Sequence, residues 1–492
     1  MTRKSPARSI ITAPFTVAKF GIGFLRKGYV FQQRTGARFA KRSEYRDFLS
    51  PSHSGLLLDG HSLHLSERES FQNVCVIARV GAGKTSRFII PNILDKAQRA
   101  CSLVINDPKG EAFEATSGTL ARNGYRIILI DPENPERSHR FNPLGEAQDL
   151  IELEQIAEIL VAAGNPGDRD PFWNRGATRF IGLLLKCLRN VAADNPEHLT
   201  LANLNYLFQN FGGDGSPLDN WMAGASIDPD NPADATLWNE WKGALTGNEE
   251  GVRSFVLNAL TALRAMSNRN VARLTSKSDF NLASLRHQKT AIFLVTPPQF
   301  QEYYAFLVSI FFRSVFNAAM RGLPGPNDLP IYILYDEFGH STIPDFVSTA
   351  NTLRAYRVSL SIVLQSIAQL NARYGLETAR AIQGGFNTYL TFAGSDPETA
   401  LFFERVIGKV RERQRNDIEK IVDQYREYNL LNANEVRTMK SSEALIVSTN
   451  RNPVLIPSVP YFEERRFARL ARTAPFTAPI DTGLEPLQFV QL

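Results

Sequence analysis

From Phe71 onward the apolar residues fall in short runs, each closed by a Gly, Asp or Pro turn and followed by a stretch of helical texture. That alternation predicts parallel strands joined by crossover helices. The first three predicted strands are 74–78, 103–105 and 127–130. Between about 146 and 286 the short runs vanish, and apolar positions recur at helical spacing, as in Ile151, Ile156, Ile159 and Leu160 and again over 180–188. Gly164-Asn165-Pro166-Gly167 and Gly212-Gly213-Asp214-Gly215 punctuate that region as loops. Strand texture resumes at 291–295, 331–335, 358–364, 389–392 and 444–447. The pattern predicts an α/β fold: a parallel-rich sheet flanked by helices, interrupted by an all-α insertion.

Two stretches need a further reading. Residues 303–320 are apolar, but Arg313 interrupts them, so a core helix is expected rather than a membrane span. Residues 409–428 alternate in charge and are expected to form a solvated helix or a lid-like loop.

Composition adds bounds. The chain has 492 residues, 43% of them hydrophobic, enough for a large core and two or three domains. Its net charge of +5 is unevenly spread: residues 1–50 hold eleven Lys and Arg against Glu44 and Asp47, a surplus of +9 that leaves −4 for the rest. A basic leader of this kind suits a polyanion, either nucleic acid or anionic lipid, and equally suits a solvated, partly disordered arm. Residues 10–25 contain Pro14, Lys19, Gly21 and Gly23 and run into Arg26-Lys27, too broken to span a bilayer and without a secretory cleavage site. The expectation is a cytoplasmic protein with no transmembrane helix, whose Phe15, Val17, Phe20 and Phe24 offer a peripheral contact with a membrane surface. Cys75, Cys101 and Cys187 are widely spaced in apolar surroundings, which excludes a disulfide framework or a zinc site and points to core thiols in a reducing compartment.

The chemistry lies at the ends of predicted strands. Strand 74–78 runs into Ala78-Arg79-Val80-Gly81-Ala82-Gly83-Lys84-Thr85-Ser86, and helix-forming sequence follows. This is the context of a phosphate-binding P-loop, in which glycines let backbone N–H groups curl around phosphate oxygens at a helix N-terminus. Lys84 is expected to reach the β- and γ-phosphates of a nucleotide and Thr85 to ligate Mg2+. Ala78 stands where the motif has its first glycine, a departure alanine tolerates if the backbone there is extended.

The run 331–335 ends in Asp336-Glu337. Acids at the carboxyl end of a parallel strand sit where ligands bind. Asp336 is expected to hold the metal through water and Glu337 to polarise an attacking water; the alternative is an acidic turn capping the next helix. Gln365, directly after strand 358–364, can orient that water or sense the γ-phosphate, or be an ordinary loop residue. Arg354 and Arg357 precede the same strand, and either is a candidate arginine finger for a neighbouring subunit or a surface arginine.

Beyond these motifs lies an ordered series: Asn106-Asp107-Pro108-Lys109-Gly110-Glu111, Asp131-Pro132, Arg140-Phe141-Asn142-Pro143-Leu144, Asp170-Pro171-Phe172-Trp173 with Ala177, and Tyr335-Asp336-Glu337-Phe338. Leu353-Arg354-Ala355-Tyr356, the segment from Gln365 to Leu370 with Tyr374-Gly375, the segment from Asp396 to Ala400, and Pro460-Tyr461-Phe462 continue it. In this order they resemble the coupling ATPases of type IV secretion and conjugation, the TraG-type DNA-transfer proteins. The resemblance implies a RecA-like P-loop domain using ATP and Mg2+, an all-α domain that contacts DNA or recruits substrate, and a homo-oligomer such as a hexamer, in which Arg354 completes the next subunit's site. It also implies DNA, nucleoprotein or effector-protein cargo and type IV secretion components as partners. Such proteins usually begin with two membrane-spanning helices, which are not seen in this sequence.

The expected organisation is a basic leader over 1–55, a RecA-like domain over 56–145 and 287–470, an all-α domain over 146–286, and a tail over 471–492. Two other functions fit the same motifs: a soluble ring-forming DNA translocase, and a nucleotide-gated recruitment adaptor with little hydrolysis.

Overall fold

The computed structural model describes residues 33–164, 171–246, 249–414, 424–477 and 486–492. The first 32 residues of the leader, with Phe15, Val17, Phe20 and Phe24, lie outside the described residues, as do 165–167 of the first glycine loop and Asp170.

Among the described residues the strands in chain order are β1 (Gln33–Gly36), β2 (Leu49–Ser50), β3 (His64–Leu65), β4 (Val74–Ile77), β5 (Ser102–Asn106), β6 (Arg126–Ile130), β7 (Thr290–Leu294), β8 (Ile331–Tyr335), β9 (Val358–Leu364), β10 (Thr388–Phe392), β11 (Lys409–Gln414), β12 (Gln424–Asn429), β13 (Glu443–Ser448) and β14 (Val454–Pro457). Nine form the main sheet, in the order β14-β13-β10-β4-β9-β8-β5-β7-β6. From β10 to β6 every pairing is parallel, and β13 and β14 close one edge antiparallel.

The inner strands are buried throughout, which is why they read as continuous apolar runs: helices cover both faces of a parallel sheet. Successive residues serve opposite cores. Val74 and Val76 join one apolar cluster, and Cys75 and Ile77 the other. All three cysteines are free and buried.

Among the described residues, seven α-helices from Leu150–Gly164 to Arg269–Leu274 fill most of the interruption between β6 and β7. Phe180, Phe211 and Trp241 pack edge to face at their centre, and the Trp241 indole donates to Asp219 at 2.8 Å. Leu153, Ile156 and Leu160 share the core that backs the sheet, so the helices are fused to it. The Gln301–Met320 helix is, among the described residues, the one long and apolar enough to cross a membrane, yet most of it is buried. Its Arg313 is satisfied inside by Gln155 and Thr349, each at 3.0 Å.

Two expectations are corrected and one strand is added. Residues 409–414 and 424–429 of the charged stretch are paired antiparallel strands and not a helix, and 415–423 lie outside the described residues. Val410 and Glu412 turn inward while Lys409 and Arg411 stay exposed, and Arg411 faces Glu427 across the pair at 3.7 Å. The leader is folded from Gln33 onward: β1 adds to β11, and Phe48 and Leu49 enter the core. The Arg451 guanidinium locks that segment, bonding Asp47 at 2.8 Å and lying 4.4 Å over the Phe48 ring. The edge strand β14 was not among the predicted strands; it is four residues long, buried on one side only, and ends in Pro457, which suits an edge.

The tail is docked at two points. Phe476 N–H donates to Ser117 at 3.0 Å, and Val490 N–H donates to Asn203 at 2.9 Å. A Cβ at Gly118 would stand 1.9 Å from Ala474 O, so only glycine lets the tail lie this close.

Candidate functional site

Parallel β4, β9, β8 and β5 are consecutive in the sheet, so the segments after their carboxyl ends converge. Ala78 extends β4, its N–H donating to Leu364 O at 3.0 Å, and it lies outside the left-handed region, so glycine is not required there. Gly81 and Gly83 do need their freedom, with φ of 81° and 89°. After Lys84 the helix opens with a wide turn in which Ile90 N–H reaches Thr85 O, a five-residue closure typical of functional sites.

The Lys84 ammonium is buried and makes no hydrogen bond; its nearest anion is Glu337 Oε1 at 3.5 Å. Thr85 Oγ1 stands 3.4 Å from Asp336 Oδ2. Glu337 adopts a left-handed backbone, φ 53°, and its N–H donates to Asp336 Oδ1 at 2.9 Å. This strained turn directs the two neighbouring acids to different partners. Asp336 faces Thr85, whereas Glu337 accepts from Gln365 Nε2 at 2.8 Å and lies 3.7 Å from His340 Nε2. Gln369 Oε1 in turn accepts from Gln365 N–H at 3.2 Å.

These groups line a cavity of about 470 Å³. Its wall also holds Asp107, Lys109, Glu111 and His340, none of them among the expected site residues. Asp107 follows β5 and accepts from Phe113 N–H at 2.7 Å; the signal that finds it is an acid directly after a parallel strand, the same that marked Asp336. Burial pushes the Asp107 carboxyl up to about 7, with the charge of Asp336 adding to it. Burial likewise pushes Asp336 up to about 6, helped by Glu337 and opposed by Lys84. Asn106 fixes the floor, donating to Asp336 O at 2.7 Å, while its own Oδ1 is buried without a partner.

Asp107, Glu111, Asp336 and Glu337 against Lys84 and Lys109 leave the cavity short of positive charge, and the Lys84 ammonium has no hydrogen-bond acceptor. An anion seated in the glycine loop together with a divalent cation beside Thr85 and Asp336 satisfies both deficits, so the residues fit a magnesium nucleotide.

The remaining predicted residues are placed as follows. Ser86 Oγ donates to Gly83 O at 3.3 Å, Ala82 packs on the core, Val80 is exposed, and Arg79 lies against Gly394. Arg354 is exposed at the amino end of β9, away from this cavity. Arg357 is held by the loop before β8, donating to Asp328 O at 3.0 Å.

A family model described as type IV secretory system conjugative DNA transfer matches residues 37–480. The chain belongs to this family. Among relatives, the protein VirD4 of Rhizobium radiobacter is 24% identical over 419 residues, covering 80% of this chain and 58% of VirD4. The conjugal transfer protein TraG of Escherichia coli is 22% identical over 348 residues, 66% of this chain and 53% of TraG. The chain thus spans little more than half the length of these relatives. The solved bacterial conjugative coupling protein TrwBdeltaN70, unbound, superposes with a TM-score of 0.67 at 15% identity, covering 88% of this chain and 95% of its own. TrwB in complex with ADP and Mg2+ gives 0.65 at 14%, covering 88% and 96%. This likeness establishes the fold of the family member, a RecA-like P-loop sheet flanked by helices.

Proposed function

We propose that this family member is an ATPase that couples hydrolysis to the transfer of DNA, nucleoprotein or effector protein into a conjugation or secretion channel. The observation that carries the reading is the buried Lys84 ammonium without a hydrogen bond, set among Thr85, Asp336, Glu337 and Gln365 at neighbouring strand ends. The loop over 78–86 holds the phosphates through its N–H groups, Lys84 neutralises the β- and γ-oxygens, and Thr85 and Asp336 hold Mg2+. The cation, when bound, offsets charge building on the transferred phosphoryl group. Phosphate competes for Lys84 and frees Glu337 Oε1 to accept a proton from water, while Gln365 keeps the other carboxylate oxygen oriented.

Family membership and the TrwB complexes with ADP and Mg2+ and with an ATP analogue support this reading. The all-α region over 146–286 is the proposed contact for cargo. Arg354, remote from its own cavity, serves as the finger for a neighbouring subunit in a ring, with a hexamer as the proposed assembly. The basic leader makes a peripheral contact with the cytoplasmic face of the inner membrane or with DNA. The test is ATP turnover with and without single- and double-stranded DNA, read with mass in solution and with cargo transfer in cells that have or lack the secretion apparatus. Turnover without any effect of DNA, or transfer independent of the apparatus, refutes the coupling role.

A further inference from the structure

We infer that Phe462, standing on Tyr461 beside Ser86, is the stacking platform for the base of the bound nucleotide. The inference rests on the reading of the loop over 78–86 as the phosphate site. In such a loop Lys84 takes the terminal phosphates and the N–H groups at the start of the helix take the inner one, so ribose and base leave past Ser86. That is where the segment holding Pro460-Tyr461-Phe462 meets the loop: Tyr461 N–H donates to Ser86 O at 2.8 Å.

The segment is fixed on both sides of this contact. Arg87 Nη1 donates to Ser458 O at 2.5 Å, and Val459 N–H donates to Asp59 O at 3.0 Å. A Cβ at Gly60 would come 2.1 Å from Val459 O, so glycine alone permits the approach. Downstream, Glu464 caps the Arg465–Leu470 helix. Tyr461 packs on the same core as Ala82 of the phosphate loop.

Phe462 itself is 59% exposed. Its ring meets Tyr461 edge to face, centroids 5.5 Å apart at 77°, so the two rings do not stack face on face. Phe172, Phe300 and Phe489 are also exposed among the described residues, but only the Phe462 segment is hydrogen-bonded to the phosphate loop. An exposed aromatic ring on a backbone held against the phosphate loop, where a nucleoside must emerge, is a stacking surface. Of the polar side chains nearby, Arg87 is engaged with Ser458 O and His61 with Glu464 at 2.5 Å. Stacking without an edge-reading partner tolerates every base, so adenine and guanine nucleotides should bind within about threefold of each other.

The experiment is calorimetric binding of ADP, GDP and inorganic pyrophosphate, each with Mg2+, to the full chain and to Phe462→Ala and Phe462→Trp. Phe462→Ala should lose about tenfold or more in ADP and GDP affinity and nothing for pyrophosphate, and Phe462→Trp should restore both nucleotides. Equal loss for pyrophosphate and ADP, or no loss for either, overturns the platform. A change in mass in solution with ligand affinities intact overturns it too, since the ring would then serve a subunit contact. Absence of both pyrophosphate and ADP binding to the unaltered chain refutes the phosphate site itself and the platform with it.

Discussion

Asp107→Asn removes a charge that the fold disfavours, and the expected result is a more stable protein in the absence of nucleotide. The carboxyl is pushed up from 3.8 to about 7 by its burial after β5. Because the folded value is raised, the folded state holds a proton that the unfolded chain releases, so wild-type stability falls as pH rises from about 4 to 7 and is flat above. Asparagine has no such dependence, and its oxygen can still accept from Phe113 N–H. A displacement of roughly three pH units corresponds to about 4 kcal/mol at pH 8, of which less than half remains at pH 5. With an unfolding entropy of about 2.1 cal/mol/K per residue over a domain of roughly 300 residues, the melting temperature should rise by about 6 °C at pH 8 and about 2 °C at pH 5. Calorimetric melting of both proteins without nucleotide or Mg2+ measures this. A variant that melts lower at pH 8, or a difference that does not change with pH, would show that Asp107 acts through its hydrogen bond and not its charge. The same penalty is what a bound cation offsets, so saturating ADP and Mg2+ should shrink the advantage of the variant.

Further outcomes follow from single contacts. Gln365→Ala deletes the donor that holds Glu337 Oε2 at 2.8 Å; steady-state turnover should fall about 10- to 100-fold, with ADP affinity by calorimetry unchanged. Gly118→Ala sets a methyl against Ala474 O, and the tail should detach at a cost of about 1–3 kcal/mol, read by chemical denaturation and faster proteolysis after residue 471.

How much of this was legible depended on where each signal resides. The eight predicted strands of the main sheet are doubly buried or nearly so, and apolar runs of that kind announce themselves locally. Lys84, Thr85, Asp336 and Glu337 were readable for the same reason: glycine loop and acidic pair are short motifs joined to such runs. The order of strands is a tertiary fact, so the sequence could suggest Gln365 for the site but could not place β9 between β4 and β8. Strands β11 and β12 hid because charge was taken as a sign of solvation, although Val410 and Glu412 alternate with exposed neighbours. Asp107 was visible as a residue but not as a buried one, since burial depends on which strands lie alongside; its N–H donates to Leu294 O of β7. Arg354 shows the opposite limit: its sequence position before β9 puts it at the far end of the strand from Gln365.

The central claim, that the cavity between Lys84 and Glu337 hydrolyses ATP, is tested most directly by turnover of the purified chain beside Lys84→Ala and Glu337→Gln, with ADP binding measured on all three. The account predicts DNA-stimulated hydrolysis that falls by about 100-fold or more in both variants, with ADP binding retained in Glu337→Gln and weakened in Lys84→Ala. Turnover unchanged in either variant would contradict it.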